Sequence, residues 1–151
     1  MSGQVWDIYQ AVIALIQGIN GAAPYLRTVA EVFPAREISQ NIPQTKKPAV
    51  AVIIGSESAE ERVGLMTVDY RLLITFQIFT SGTDDLEALH ECMDLWEDIK
   101  NAMYKTGMFK TVHDYDTSLV NTGAPIAYPL DDKQASGIIT FAITYRDNYA
   151  P

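Results

Sequence analysis

Cysteine is nearly absent: Cys92 stands alone among 151 residues, so the chain can form no internal disulfide. A chain of this length buries roughly 70% of the surface that its unfolded form exposes and needs no such staple. Basic residues are also few, 11 Lys and Arg against 19 Asp and Glu, for a net charge of −8. Their closest pair is Lys46-Lys47. Nucleic-acid binding calls for a basic surface that displaces phosphate counterions, and anionic membranes attract polybasic segments. Both functions are disfavoured here. The longest apolar stretch, Ile8 to Ile19, is interrupted by Gln10 and Gln17. At about 12 residues it falls short of the ~20 that span a bilayer. The opening Met-Ser-Gly-Gln-Val-Trp-Asp lacks the basic start and cleavage signature of a secretory signal. Proline and glycine are dispersed, so residues 1–151 read as one soluble domain without a linker.

Catalytic and cofactor chemistry is equally sparse. His90 and Cys92 lie two apart on a helical segment and point about 200° away from each other, so they cannot share a metal ion. His90 with Asp94 supplies only two ligands, and His113-Asp114 on an extended segment face opposite ways. Ser56, Ser58, His113 and Asp116 form a nominal nucleophilic cast. However, Gly55-Ser56-Glu57-Ser58 lacks the second half of a G-x-S-x-G elbow. The paired carboxylates Glu60-Glu61, Asp84-Asp85 and Asp131-Asp132 fall in segments read as loops or a helix start, where water screens them. General acid–base work needs two carboxylates in different environments. No glycine-rich phosphate cradle occurs. Cys92 reads as a buried, inert thiol. The expectation is a protein that is not an enzyme and takes no metal or cofactor.

What is present is patterning. Val5, Ile8, Val12, Leu15 and Ile19 follow helix spacing, and a second seam of Trp6, Tyr9, Ile13 and Ile16 runs beside them. Only a narrow strip of Asp7, Gln10, Ala14 and Gln17 is left over. A helix on one sheet needs about 100° of apolar face or somewhat more. The doubled seam therefore predicts contact with two surfaces, one of them on another subunit. Gly18 or Gly21 ends the helix. Thr28–Phe33 reads as a short strand, Pro48–Gly55 as a central strand buried on both faces, and Ser56–Gly64 as an acidic loop.

From Leu65 to Thr80 apolar residues take every second position, from Met66 to Ile78, which is strand periodicity. At about 3.3 Å per residue this strand reaches roughly 50 Å, so part of it is expected to project toward a neighbour. Its half-polar face carries Arg71, Leu73 and Phe79. A helix over Thr83–Lys105 follows, opened by an Asp84/Glu87 capping box. Its inward stripe reads as Leu89, Cys92, Met93, Trp96, Ile99 and Met103. Thr122–Asp132 reads as an exposed excursion. Ser136–Tyr145 closes as a strand with Ile139, Phe141, Ile143 and Tyr145 on one face. This order predicts an α+β fold: one antiparallel or mixed sheet packed by the N-terminal helix and the long central helix.

The succession of N-terminal helix, PAVAVIIG, a long alternating strand ending ITFQIFTSG, the acidic helix DDLEALHECMDLWEDIKNAMY and the closing ITFAITYRD resembles the tail terminator proteins of long-tailed bacteriophages. The resemblance spans nearly the whole chain. It implies a small structural subunit of the virion, assembled in the host cytoplasm into a homo-oligomeric ring of six at the head–tail junction. Such a ring caps the tail tube protein, halts its polymerisation and docks a neck or head-completion protein. Genomic DNA passes through the lumen without sequence-specific binding, and no membrane takes part. On this reading Glu57, Glu60, Glu61, Arg62, Asp131 and Asp132 lie at ring faces or the lumen, and Trp6, Tyr9, Ile13, Ile16, Arg71, Leu73 and Phe79 pack between subunits. The alternatives are another head–tail connector or neck-completion protein, a small-ligand-binding α+β module, or an enzyme with an unrecognised site.

Overall fold

The computed structural model describes residues 3–34, 47–62, 64–105, 118–121 and 126–149. In chain order the elements are α1 (Gln4–Gln17), β1 (Glu31–Pro34), β2 (Ala49–Arg62), β3 (Thr67–Ser81), α2 (Asp85–Lys105), β4 (Ser118–Asn121), β5 (Ile126–Leu130) and β6 (Gln134–Asn148). The strands form one mixed sheet in the order β1-β2-β3-β6-β4, and β5 pairs with the same side of β6 as β4, further along it. Only β1 and β2 run parallel; every other pair is antiparallel. The fold is α+β.

The alternation in β3 becomes a two-faced strand. Leu72, Ile74, Phe76 and Ile78 point into the core with Ile139, Phe141, Ile143 and Tyr145 of β6. Phe76 and Phe141 meet edge to face, with ring centroids 5.8 Å apart. Fully burying a side chain of this size is worth about 1.5–3 kcal/mol. Both helices cover this face. The opposite face presents Arg71, Leu73, Thr75 and Gln77 beside Thr140 and Thr144, and no helix covers it among the described residues.

β3 does not project alone. Register pairs join it to β6 from Thr67 to Ser81 and to β2 from Val68 to Phe79. The run Ser56–Arg62, expected as a loop, is instead the distal half of β2. Its charges lower strand propensity, but pairing with β3 fixes it as strand, with irregularities between Ile54 and Glu57 and between Ala59 and Glu61. Likewise Ile126–Leu130, expected within an exposed excursion, is a strand on β6.

α1 is buried over most of its circumference, leaving Trp6, Gln10, Ala14 and Gln17 exposed. Its two contact surfaces both belong to its own chain: the β1/β2 margin of the sheet and α2. Tyr9 reaches across to donate its hydroxyl to the Val52 carbonyl at 2.8 Å. The second seam therefore meets α2 and the sheet, and the expected second subunit is not needed to bury Tyr9 and Ile16. Gly18 ends the helix in right-handed geometry. Of Gly18 and Gly21 it is Gly21 that carries a positive φ, +76°, where an added Cβ would lie 2.8 Å from Thr28 Oγ1.

α2 opens as the capping box predicts, one residue displaced on the return arm. The Glu87 amide donates to Asp84 Oδ1 at 2.7 Å, and Glu87 accepts from the Thr83 amide at 3.1 Å. Its buried stripe is Ala88, Cys92, Leu95, Ile99, Ala102 and Met103. This is rotated from the expected stripe: Met93 is exposed, and Leu89 and Trp96 are half-buried. Close approach to β3 and β6 selects the small residues Ala88 and Ala102, which a search for large apolar side chains passes over.

Candidate interaction surfaces

The turn between β2 and β3 forms one end of the sheet. Arg62 holds it, donating from Nε to the Gly64 carbonyl (3.1 Å) and from Nη2 to the Leu65 carbonyl (2.7 Å). The turn leaves Leu65 86% exposed and Met66 about half exposed. Just inside it, Tyr70 stacks on Tyr145 with centroids 5.5 Å apart, and Tyr149 meets Tyr70 edge-on. The Tyr145 hydroxyl donates to Glu57, which ties the acidic half of β2 across β3 to β6. Burial, and then the Glu57 carboxylate, push the Tyr145 phenol well above its ordinary range. Tyr149 is raised to about 12 by its hydrogen bond to Tyr70. Arg146 grips Asp69 with two bonds of 2.7 and 3.1 Å, holding that carboxyl below its ordinary value. Gln4 of α1 donates to Asp147 at 3.0 Å, so the helix start is pinned here too.

Of the acidic candidates, Glu57 is thus a bonded strand residue. Glu60 and Glu61 continue β2, Glu61 opposite Asp69. Their side chains lie outside the described residues. Asp131 and Asp132 sit at the other end of the sheet, in the exposed turn from β5 to β6, where Asp132 and Lys133 both take left-handed φ. The 15-residue length of β3 separates the two ends by about 45 Å. The two acidic groups therefore cannot form one site.

The packing candidates divide. Tyr9 and Ile16 are core residues, and Phe79 is buried against Ala49 and Phe33, so these three are not free to pack on a neighbour. Ile13 is half-buried against the core. Trp6 remains 52% exposed, and Arg71 and Leu73 are half-exposed on the face without helices. That face holds a concavity of about 290 Å³ lined by Ile53, Thr75, Gln77 and Ile138. A second, of about 500 Å³, runs along the outer side of α2 between Asp84, Leu86, Glu87, His90 and Met93.

The residue that pattern reading missed is Asp98. It is fully buried and accepts from the Leu26 and Arg27 amides at 2.8 Å each. One turn earlier Asp94 takes Arg27 Nε at 2.9 Å, with His90 at 3.6 Å. Asp94 and Asp98 together clasp the α1–β1 connection to α2. This is structural work, and burial holds the Asp98 carboxyl above its ordinary range despite the two amides. The Cys92 thiol is pushed up to about 12 by burial, which is an environment for packing rather than reaction. Ser56 and Ser58 are exposed on β2. His113, Asp114 and Asp116 lie outside the described residues. No group of three or more His, Cys, Asp or Glu suited to a metal ion occurs among the described residues, and none of their helices is long and apolar enough to cross a membrane. Neither a protein-family model nor a curated protein matches the chain.

Proposed function

We propose that this chain is a structural subunit of a ring, six copies in the resembled family, that caps the tail tube of a long-tailed bacteriophage and presents a docking face to the neck. The observation that carries the reading is the sheet's uncovered surface. Among the described residues the distal half of β2 has no strand on its outer side, and one face of the sheet has no helix. The core-facing residues of α1 and of β3 are buried within the chain itself and offer no surface to a neighbour. Exposed Leu65 and Met66 at one sheet end and the Asp131–Asp132 turn at the other offer two chemically different ends, suited to two different neighbours. A net charge of −8 keeps a DNA lumen from binding its cargo.

Electron microscopy of the purified protein, alone and mixed with tail tubes, tests the proposal. Rings seated on tube ends are expected. Particles that bind the neck side without touching tubes would transfer the protein to another connector role, and absence of any ring would overturn the reading.

A further inference from the structure

The outer side of α2 carries an apolar trough that the ring reading does not use. Its described lining is one stripe of the helix, Asp84, Leu86, Glu87, His90 and Met93, around a concavity of about 500 Å³. Ala88, Cys92 and Leu95 turn to the core, which leaves Leu86 and Met93 on the outer side, 77% and 46% exposed. They lie about two helical turns apart. His90 stands between them, 3.6 Å from Asp94. The volume falls in the range of small-molecule sites, but such sites enclose most of their ligand. A trough whose wall residue Leu86 stands so far out in solvent does not. It fits a segment laid along the helix.

Charge selects that segment. Between Thr83 and Met93 the sequence holds four acids and no lysine or arginine. Asp84 and Glu87 are bonded only to neutral donors, the Glu87 amide and the Thr83 amide and hydroxyl, so both keep their charge. Asp85 beside them is exposed. Asp94, by contrast, is matched by Arg27 and adds nothing. The three carboxylates gather at the start of the helix, and the apolar stripe runs from there to Met93. A second copy is a poor occupant. Two such faces set together would each bring Asp84, Asp85 and Glu87 into an apolar seam without a cation, and burying unpaired charge is costly.

We infer that the trough of α2 docks an amphipathic helical segment of another protein, its apolar side chains on Leu86 and Met93 and its lysines or arginines at the Asp84–Glu87 end. This is helix-in-groove recognition, with anchors one or two turns apart. It stands on the trough alone and does not need the ring.

The probe is a synthetic helical peptide with leucines along one face and a lysine cluster at one end, followed by fluorescence anisotropy against the full chain. It should bind, and a scrambled peptide of the same composition should bind about tenfold or more weakly. Leu86→Ser/Met93→Ser should weaken binding about tenfold or more. Its unfolding midpoint should stay in place, because both side chains are exposed. Asp85→Lys, which spares the capping bonds, should weaken binding and flatten its salt dependence. No binding, equal binding of the scramble, or full binding by Leu86→Ser/Met93→Ser would overturn the inference. So would Leu86 and Met93 methyl NMR signals that shift with protein concentration alone, which would give the trough to a second copy.

Discussion

Replacing Asp98 by alanine should destabilise the chain more than any exposed acid would. Two backbone amides, Leu26 and Arg27, donate to this one carboxylate at 2.8 Å each, in a seam where Asp98 itself is fully buried. Hydrogen bonds to a charged group are worth about 1.5–3 kcal/mol, and a donor left unpaired costs about 1–3 kcal/mol. Relief from burying the carboxylate offsets part of the two-bond loss, so a net of about 2–4 kcal/mol is expected, against a total stability of ~5–15 kcal/mol. In melting temperature this is a drop of roughly 4–16 °C for a domain of this size. Urea unfolding followed by Trp96 fluorescence should show a lower midpoint with an unchanged slope, and Asp98→Asn, which keeps one acceptor, should lose about half as much. Because burial raises the Asp98 carboxyl, the folded chain keeps its proton to higher pH than the unfolded chain does. Its contribution is therefore greatest below the ordinary carboxylate range and declines as pH rises through the window up to the raised value. The stability difference between wild type and Asp98→Asn should shrink across that window. A loss under about 1 kcal/mol for Asp98→Ala, well below the range for one lost bond, would refute the clasp.

Other outcomes follow from particular contacts. Gly21→Ala forces a left-handed residue against Thr28 and should cost about 1–2 kcal/mol in denaturant unfolding. Phe76→Ala should cost about 3–5 kcal/mol by the same assay, since its site lies deep between sheet and helices. Asp69 is held below its ordinary value by Arg146, so that pair's stability is present above the ordinary carboxylate range and lost as pH falls through the lowered value. Arg146→Ala should therefore cost under about 1 kcal/mol at neutral pH, an effect that vanishes in an acid titration toward pH ~2. Cys92 should resist a thiol reagent in the folded chain by about a thousandfold or more relative to the urea-unfolded chain.

Period-two alternation made β3 and β6 legible, because each has one face against the core and a pattern of twos has no other cheap reading. The faces of β6 fall as its residues alternate, with Ile139, Phe141, Ile143 and Tyr145 inward. The acidic half of β2 was not legible. Its strand character comes from β3 alongside it, a tertiary cause absent from Ser56–Arg62 themselves. The doubled seam on α1 correctly reported two contacts but not that α2 provides one of them, since nothing in residues 4–17 names the partner. Asp98 was hidden among six other acids of its segment: its partners lie more than seventy residues away, and only its four-residue spacing from Asp94 hints at a shared face. Similarly, Tyr70, Tyr145 and Tyr149 become a cluster only once β3 and β6 are in register.

Native mass spectrometry across a concentration series weighs most directly on whether copies of this chain assemble. A closed ring of six predicts a species near 101 kDa, six times the 16.8 kDa chain, with little in between. A single 16.8 kDa species at every concentration up to the millimolar range would contradict self-assembly.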